Sequence, residues 1–327
     1  MKKLSLLLAG LFALYSLYWA WGRNTMVEAI MSSVKDNTAE GYVIDHKGLS
    51  AGGFPLRFRS SLQDLSVTSP RTAKKPWSIR SDLFRIETQS YNPLILDLRH
   101  RGDMRVDMRS SKGARWLFDV RPFNLNVTSW HRFNGSLKAV SADLSQSQFQ
   151  AVIGTLPPVV GINNAALNLE PSGDDMQVNL SIGSLFLSQD TAPKLQAAFG
   201  PAILNINVKT TAIGLQDLNS DTFQLWAKNG RITTEHWSLI WGDSLFSGDF
   251  DLTTSETGLT GTIGLRLDDL SELITQFQTA GILTAGQASA VRLTSSIFPK
   301  DANGFQTVNL IIKDGYLTFL NQPIYKF

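Results

Sequence analysis

The chain contains no cysteine and only four histidines. The first absence excludes disulfides, thiolate metal sites, iron–sulfur clusters, thiol catalysis and a lipid-modified cysteine, and the second leaves a histidine-based metal site poorly supplied. Charge is scarce as well: 18% of residues are charged, against about 25% in an average soluble protein. With 30 basic and 28 acidic residues the net charge is only +2, which argues against a nucleic-acid partner. No cofactor and no metal are expected. What the 327 residues do provide is enough chain for one large or two ordinary domains. The near-neutral total hides an asymmetry. Residues 1–150 carry 21 basic and 12 acidic side chains, net +9, and residues 151–327 carry 9 and 16, net −7. The two halves therefore present different surfaces.

After Lys2 and Lys3 the chain runs from Leu4 to Trp21 without a charge, a helix of about 27 Å that just spans a bilayer core. Seven leucines and Phe12, at about −0.5 kcal/mol each, favour insertion by roughly 4 kcal/mol. A cleaved signal peptide would have a shorter apolar core followed by a small-x-small site, and no such site follows. Tyr15, Tyr18, Trp19 and Trp21 gather instead at the far end, where amphipathic rings sit at headgroup level. Residues 1–22 are therefore expected to be an uncleaved single-pass anchor. With the lysines inside, the body lies outside the cytoplasm, in a Gram-negative cell the periplasm.

Met26, Val27, Ile30, Met31 and Val34 are spaced for an amphipathic helix over 23–40 that continues from the anchor and ends at Gly41. From there to about Leu267 the pattern has period two. Leu94, Leu96, Leu98 and Met104, Val106, Met108 alternate around an expected Gly102-Asp103 turn, and Trp116, Phe118, Val120 and Leu125, Val127 do so around Pro122. Asn229-Gly230 reads as a type I′ hairpin pair. Phe246, Gly248, Phe250, Leu252 and Gly261, Ile263, Leu265, Leu267 repeat the alternation. Late helices are predicted after Asp269 and Thr284, each with the capping-box spacing to Glu272 and Gln287, and Val308 to Phe319 reads as a strand or hairpin. The expected fold is mainly β: a long curved, groove-like antiparallel sheet or sheet pair with a few covering helices and an N-terminal transmembrane helix. A basic half (41–156) precedes an acidic half (157–327) that carries the helices near 269–297. No Pro/Ser-rich linker divides them, so a single body is favoured over two domains, with Pro157-Pro158 the best candidate seam.

Gly242-Asp243-Ser244-Leu245 matches the nucleophile block of the lipase class named after those four residues. That chemistry needs a histidine base, normally three residues after an aspartate and downstream of the serine, yet none follows His236. Asp97 and His100 have the spacing but lie far upstream. Ser244 is therefore expected to be a turn residue and the protein not an enzyme. His46, His100, His131 and His236 are scattered, and Asp174-Asp175 and Asp268-Asp269 fall at turns or caps where acids are common. The basic half is more informative. Arg57, Arg59, Arg105, Arg109, Arg115 and Arg121 alternate with apolar residues and so line the sheet face opposite the oily one, with Asp107 and Asp119 as cross-strand partners. The functional alternative is a basic surface held beside anionic headgroups by the anchor. Trp77, Trp116, Trp130, Trp226, Trp237 and Trp241 fall on apolar faces and read mostly as core.

Gly53-Phe54-Pro55 followed by Arg57-Phe58, then Trp77, Leu83 and Tyr91-Asn92-Pro93, resemble a Gram-negative bacterial family of membrane-anchored extracytoplasmic proteins, domain-of-unknown-function family 2125. That resemblance covers most of the chain after the anchor and assigns no activity. The stretch Asn229 to Leu267 is also similar, loosely, to the C-terminal parts of AsmA-like proteins, whose curved sheets form grooves implicated in moving phospholipids. From these readings the chain is expected to be an inner-membrane-anchored periplasmic protein that binds or shelters lipid or another apolar envelope component without catalysis. Acyl chains would lie on the oily face near Trp237, Trp241 and Leu265, and headgroups would be oriented by Arg57, Arg59, Arg105 or Arg109. The alternative is a ligand-free envelope scaffold that binds other proteins; a cavity lined by Trp, Leu and Phe favours the first and a filled interior the second.

Overall fold

The computed structural model describes residues 2–326 except 74, 110–114, 154–158, 191–192, 202, 217, 219, 256–257, 268–269, 296–299, 301–303, 314 and 320–321. It is mainly β and antiparallel, with five helices among the described residues, as the period-two patterning predicts. The chain divides into two compact units, Met1–Gly135 with Ala142–Pro157, and Ser136–Ser141 with Pro158–Phe327. The strands nevertheless belong to one hydrogen-bonded sheet, and one of the crossings between the units, at Ser141–Ala142, falls within a strand. The expected seam at Pro157-Pro158 coincides with the last division and lies outside the described residues.

The first unit opens with α1 (Lys2–Ala39), followed by β1 (Val43–Asp45), β2 (Gly48–Gly52), β3 (Arg57–Thr68), β4 (Trp77–Gln89), β5 (Asn92–Arg109), β6 (Arg115–Arg121), β7 (Asn124–His131) and the part of β8 (Leu137–Ile153) beyond Ser141. β1 and β2 both pair with β3, β3 with β4, β4 with β5, β5 with β6 and β7, and β6 with β8. Gly102-Asp103 is not a turn. β5 runs straight through it for 18 residues, and Gly102, at φ 110°, takes up a register shift against β4 while the Asp103 amide donates to Asp82. Pro122 is likewise a break within one course rather than a reversal, since β6 and β7 pair with successive stretches of the same strand.

α1 is one uninterrupted helix of 38 residues, about 57 Å long, so the expected anchor and the helix over 23–40 are continuous. It ends where Gly41 turns to φ 95° and the amides of Gly41 and Tyr42 bond back to Thr38 and Asn37, the left-handed glycine stop. Leu7, Leu8, Leu11, Leu14 and Leu17 are each more than half exposed. Among the described residues no helix is long and apolar enough to cross a membrane; the side chains of Leu4 and Leu6, which begin the uncharged run, lie outside them.

In the second unit β9 (Val159–Ser172), β10 (Asp175–Leu187), β11 (Ile203–Ile213), β12 (Arg231–Trp241), β13 (Ser244–Ser255), β14 (Gly258–Leu267), β15 (Gln306–Lys313), β16 (Tyr316–Phe319) and β17 (Gln322–Lys326) form an antiparallel meander, each paired with the next. The helices are α2 (Pro193–Phe199), α3 (Ser220–Asn229), α4 (Leu270–Thr279) and α5 (Ala285–Ser295). Phe246, Phe250 and Leu252 pair with Leu267, Ile263 and Gly261 in the register that the alternation implies. The Thr284–Gln287 capping box forms reciprocally, with the Thr284 amide donating to the Gln287 carbonyl and the Gln287 amide to the Thr284 hydroxyl; Asp269 lies outside the described residues. α4 and α5 bury Leu270, Ile274 and Ala288 against Leu267 and Val308, and α2 buries Phe199 against Leu204 and Trp241.

Asn229-Gly230 is not a hairpin. Asn229 ends α3 and β12 starts at Arg231, with the Trp226 indole folded over Gly230 so closely that a Cβ there would lie 2.4 Å from the ring. The Trp226 Nε1 donates to the Ile213 carbonyl. The same dipeptide serves as a helix stop because glycine is the only residue with room under that ring.

Candidate functional site

Along its second half α1 turns small residues toward the sheet. Gly22, Thr25, Ala29 and Ser33 share one helical stripe with Tyr18, and between that stripe and the strands lies an open groove of about 620 Å³, within the range of small-molecule sites. Its floor is almost wholly apolar: Ile44 on β1, Phe58, Leu62, Leu65 and Val67 on β3, Ile86 and Thr88 on β4, and Pro93 and Leu96 on β5. Met26, Ile30 and Val34 complete the helical wall. From Tyr18 to Val34 the helix rises about 24 Å. On β3 the lining residues change from even to odd positions across Asp64, whose φ of 47° interrupts the alternation and keeps apolar side chains under the helix.

Beyond the Tyr18 and Phe58 end of the groove lies the Gly53-Phe54-Pro55 turn. Gly53 sits at φ 104° and a Cβ there would meet the Arg57 carbonyl at 2.5 Å, so the turn requires glycine. It presents Phe54 to Phe12, Tyr15 and Trp19, and Phe58 to Tyr18 and Trp19. Gly22 lets α1 approach, since a Cβ would lie 2.5 Å from the Phe58 ring. The polar tips of the helix aromatics bond to this turn, to the start of β3 and to the neighbouring β4–β5 turn. Tyr15 donates to the Pro55 carbonyl, Tyr18 to Ser90 at 2.6 Å and Trp19 to Arg57 at 2.8 Å. The aromatic cluster expected at headgroup level is thus also the seat of the sheet. Pro93 lines the groove, Trp77 packs on Tyr42 just beyond the end of α1, and Tyr91 is exposed at the β4–β5 turn. Of the residues that carry the resemblance, Phe58 and Pro93 line the groove, and Gly53, Phe54 and Pro55 form the turn that meets α1.

The arginines lie elsewhere. Phe58 faces the groove, so Arg57 and Arg59 project to the opposite side, where both donate to Glu87, a carboxylate only 3% exposed. Arg105 and Arg121 grip Asp119, and Arg115 grips Asp107. Arg109 stands across from Arg115 in the register and adds its charge to Asp107. None of them lines the groove, and the cross-strand partnership expected for Asp107 and Asp119 is formed. Burial pushes Glu87 up, but hydrogen bonds and charge from Arg59, Arg57 and Arg99 outweigh it and hold the carboxyl below its ordinary value of 4.5. A depressed pKa gives stability that is complete above the ordinary value and lost as pH falls through the lowered one. Glu87→Gln should therefore lower the melting temperature at pH 7 and shrink the further drop expected on acidification; an unchanged pH dependence would show that the cluster contributes nothing.

Trp237, Trp241 and Leu265 belong to the second unit, Trp241 and Leu265 to its core and Trp237 half-buried on its sheet. Trp241 is 7% exposed against Phe199, Leu265 packs on the cluster beneath α4 and α5, and Trp237 lies over Gly248, its register partner. Ser244 follows the Gly242-Asp243 turn and, with Glu272, lines a small cavity of about 140 Å³. No histidine is among its lining residues. Among the described residues no group of histidine, aspartate or glutamate is arranged to hold a metal ion. The groove itself escaped the sequence: the stripe Met26, Val27, Ile30, Met31, Val34 only partly overlaps its wall, and small residues such as Gly22, Ala29 and Ser33 give no hydrophobic signal.

The turn, its helix seat and the groove fall within residues 19–320 except for the first aromatics, and those residues match a family model described as "Uncharacterized protein conserved in bacteria (DUF2125)". The chain belongs to this family. No curated protein and no solved structure matches it. Gly53-Phe54-Pro55, on which the sequence resemblance rests, is in this chain the turn on which α1 docks.

Proposed function

We propose that this protein is anchored in the inner membrane by the first half of α1 and holds lipid acyl chains in the groove beside its second half, with its body in the periplasm and no catalysis. The observation that carries this reading is the groove: about 620 Å³, lined by aliphatic and aromatic side chains, and left open by small residues on a helix that continues from an uncharged run of 18 residues, Leu4 to Trp21. The exposed leucines on that run suit an apolar medium, and the groove begins at Tyr18 and Trp21, the level where the run ends. A chain sliding from the bilayer into the groove would exchange one apolar surrounding for another, and each CH₂ kept from water contributes about 0.8 kcal/mol. The DUF2125 membership assigns no activity, and the loose AsmA-like similarity points the same way as the groove. Filling the groove tests the idea. Ala29→Trp occupies it from the helix side without adding charge, and lipid co-purifying with the full chain, measured by mass spectrometry, should fall several-fold while the circular dichroism stays that of the native protein. Absence of lipid from the native protein, or unchanged lipid in a folded Ala29→Trp variant, would return the reading to a scaffold without ligand.

A further inference from the structure

We infer that the occupant of the groove is an anionic phospholipid whose phosphate is received by Arg23; this deepens the reading above and rests on it. Arg23 is the first charged residue after Lys3 and follows the apolar run by two positions. On the helix it lies four residues after Trp19, which bonds to the Arg57 carbonyl, and three and seven before Met26 and Ile30, both of which line the groove. Residues at these spacings share a helical face, so Arg23 stands on the helix beside the groove without being one of the residues that line it. Its Nε is shut off from solvent with no hydrogen-bond partner, and among the described residues its guanidinium forms no ion pair. Arg57, Arg59, Arg105, Arg115 and Arg121 each have an acid. A guanidinium nitrogen withdrawn from water without a partner is costly, and its planar fork fits phosphate oxygens in pairs.

The Ser60 hydroxyl, on the same sheet face between Phe58 and Leu62, is likewise buried and unpartnered, and it lies beneath the residues that line the groove rather than among them. α1 and β3 run the same way, from the Trp19–Arg57 contact to the Gly41–Pro70 contact. Ser60, two residues beyond Phe58 or about 6.6 Å along the strand, therefore comes level with the helical turn that carries Arg23 and Met26. Apolar walls with one unpaired cation beside them match an acyl chain and a phosphate. A fatty alcohol or diacylglycerol would leave Arg23 unpaired.

The test uses the full chain in a neutral detergent and two probes with identical acyl chains, phosphatidylglycerol and diacylglycerol, with retention read by native mass spectrometry. The native protein should retain phosphatidylglycerol over diacylglycerol. Arg23→Gln should lower phosphatidylglycerol retention about tenfold, leave diacylglycerol retention unchanged and keep the native circular dichroism, and Arg23→Lys should restore part of the loss. Equal retention of the two lipids by the native protein, or native-like phosphatidylglycerol retention by a folded Arg23→Gln variant, overturns the assignment of Arg23 while leaving the groove in place. Should Arg23→Gln fail to fold, the native protein's preference between the two lipids still decides. Retention of neither lipid by the native protein overturns the groove reading itself.

Discussion

Phe58→Ala is expected to destabilise the first unit by about 3–5 kcal/mol, the usual cost of deleting a buried aromatic ring, and to free α1 from the sheet. Phe58 is 4% exposed and is the ring on which three helix residues converge: Tyr18 and Trp19 lie 6.0 and 6.3 Å from it, centroid to centroid, and Gly22 lies flat against it. Its removal leaves a void between helix and strand that the neighbouring Phe54 contacts cannot close, because Phe54 is held by its own turn one step nearer the N-terminus. Urea denaturation followed by tryptophan fluorescence would read the loss, since Trp19 and Trp21 report the docking directly. The converse change, Gly22→Val, should cost about 1–3 kcal/mol by overpacking the same contact. The two substitutions touch each other, so the double variant should lose less than the sum. Additive losses would mean that Gly22 and Phe58 do not meet.

Much of this arrangement was legible in the sequence. Alternation of Phe246, Phe250 and Leu252 with Ile263 and Leu267 fixes a strand pair because period two has only one way to bury an oily face. The Thr284–Gln287 spacing and the Gly41 stop are local signals, complete within a few residues. The arginines at alternate positions in the basic half, with Asp107 and Asp119 as their partners, follow from the pleat alone. What was not legible depended on distant neighbours. Asn229-Gly230 has the letters of a hairpin, and only the Trp226 ring lying over Gly230 makes it the end of a helix. Gly102-Asp103 has the letters of a turn, but Asp82 on the facing strand accepts the Asp103 amide and turns the pair into a bulge. The groove is the extreme case, because it consists of side chains that are missing: Gly22, Ala29 and Ser33 face the sheet without filling the space before it, and an absence of volume leaves no periodic mark.

The aromatic and leucine positions expected to hold ligand show the same limit from the other side. Trp241→Ala is expected to destabilise the second unit by about 3–5 kcal/mol and to leave lipid retention unchanged. Its ring is 5.5 Å from Phe199, and Phe199 in turn meets Phe246 and Phe277 at 5.4 and 5.6 Å, so α2 and α4 both rest on the cluster that Trp241 completes. An apolar sheet face that helices already cover has no free surface to offer a ligand. The groove residues all belong to the first unit, whose helix leaves its strands partly uncovered. Alternating Trp and Leu residues mark both faces identically in the sequence; the covering helix decides which becomes core and which becomes cavity. Chemical denaturation of Trp241→Ala beside mass spectrometry of its bound lipid separates the two roles. A fall in lipid retention with the stability of the second unit intact would place Trp241 in the binding site and undo the division of labour between the units.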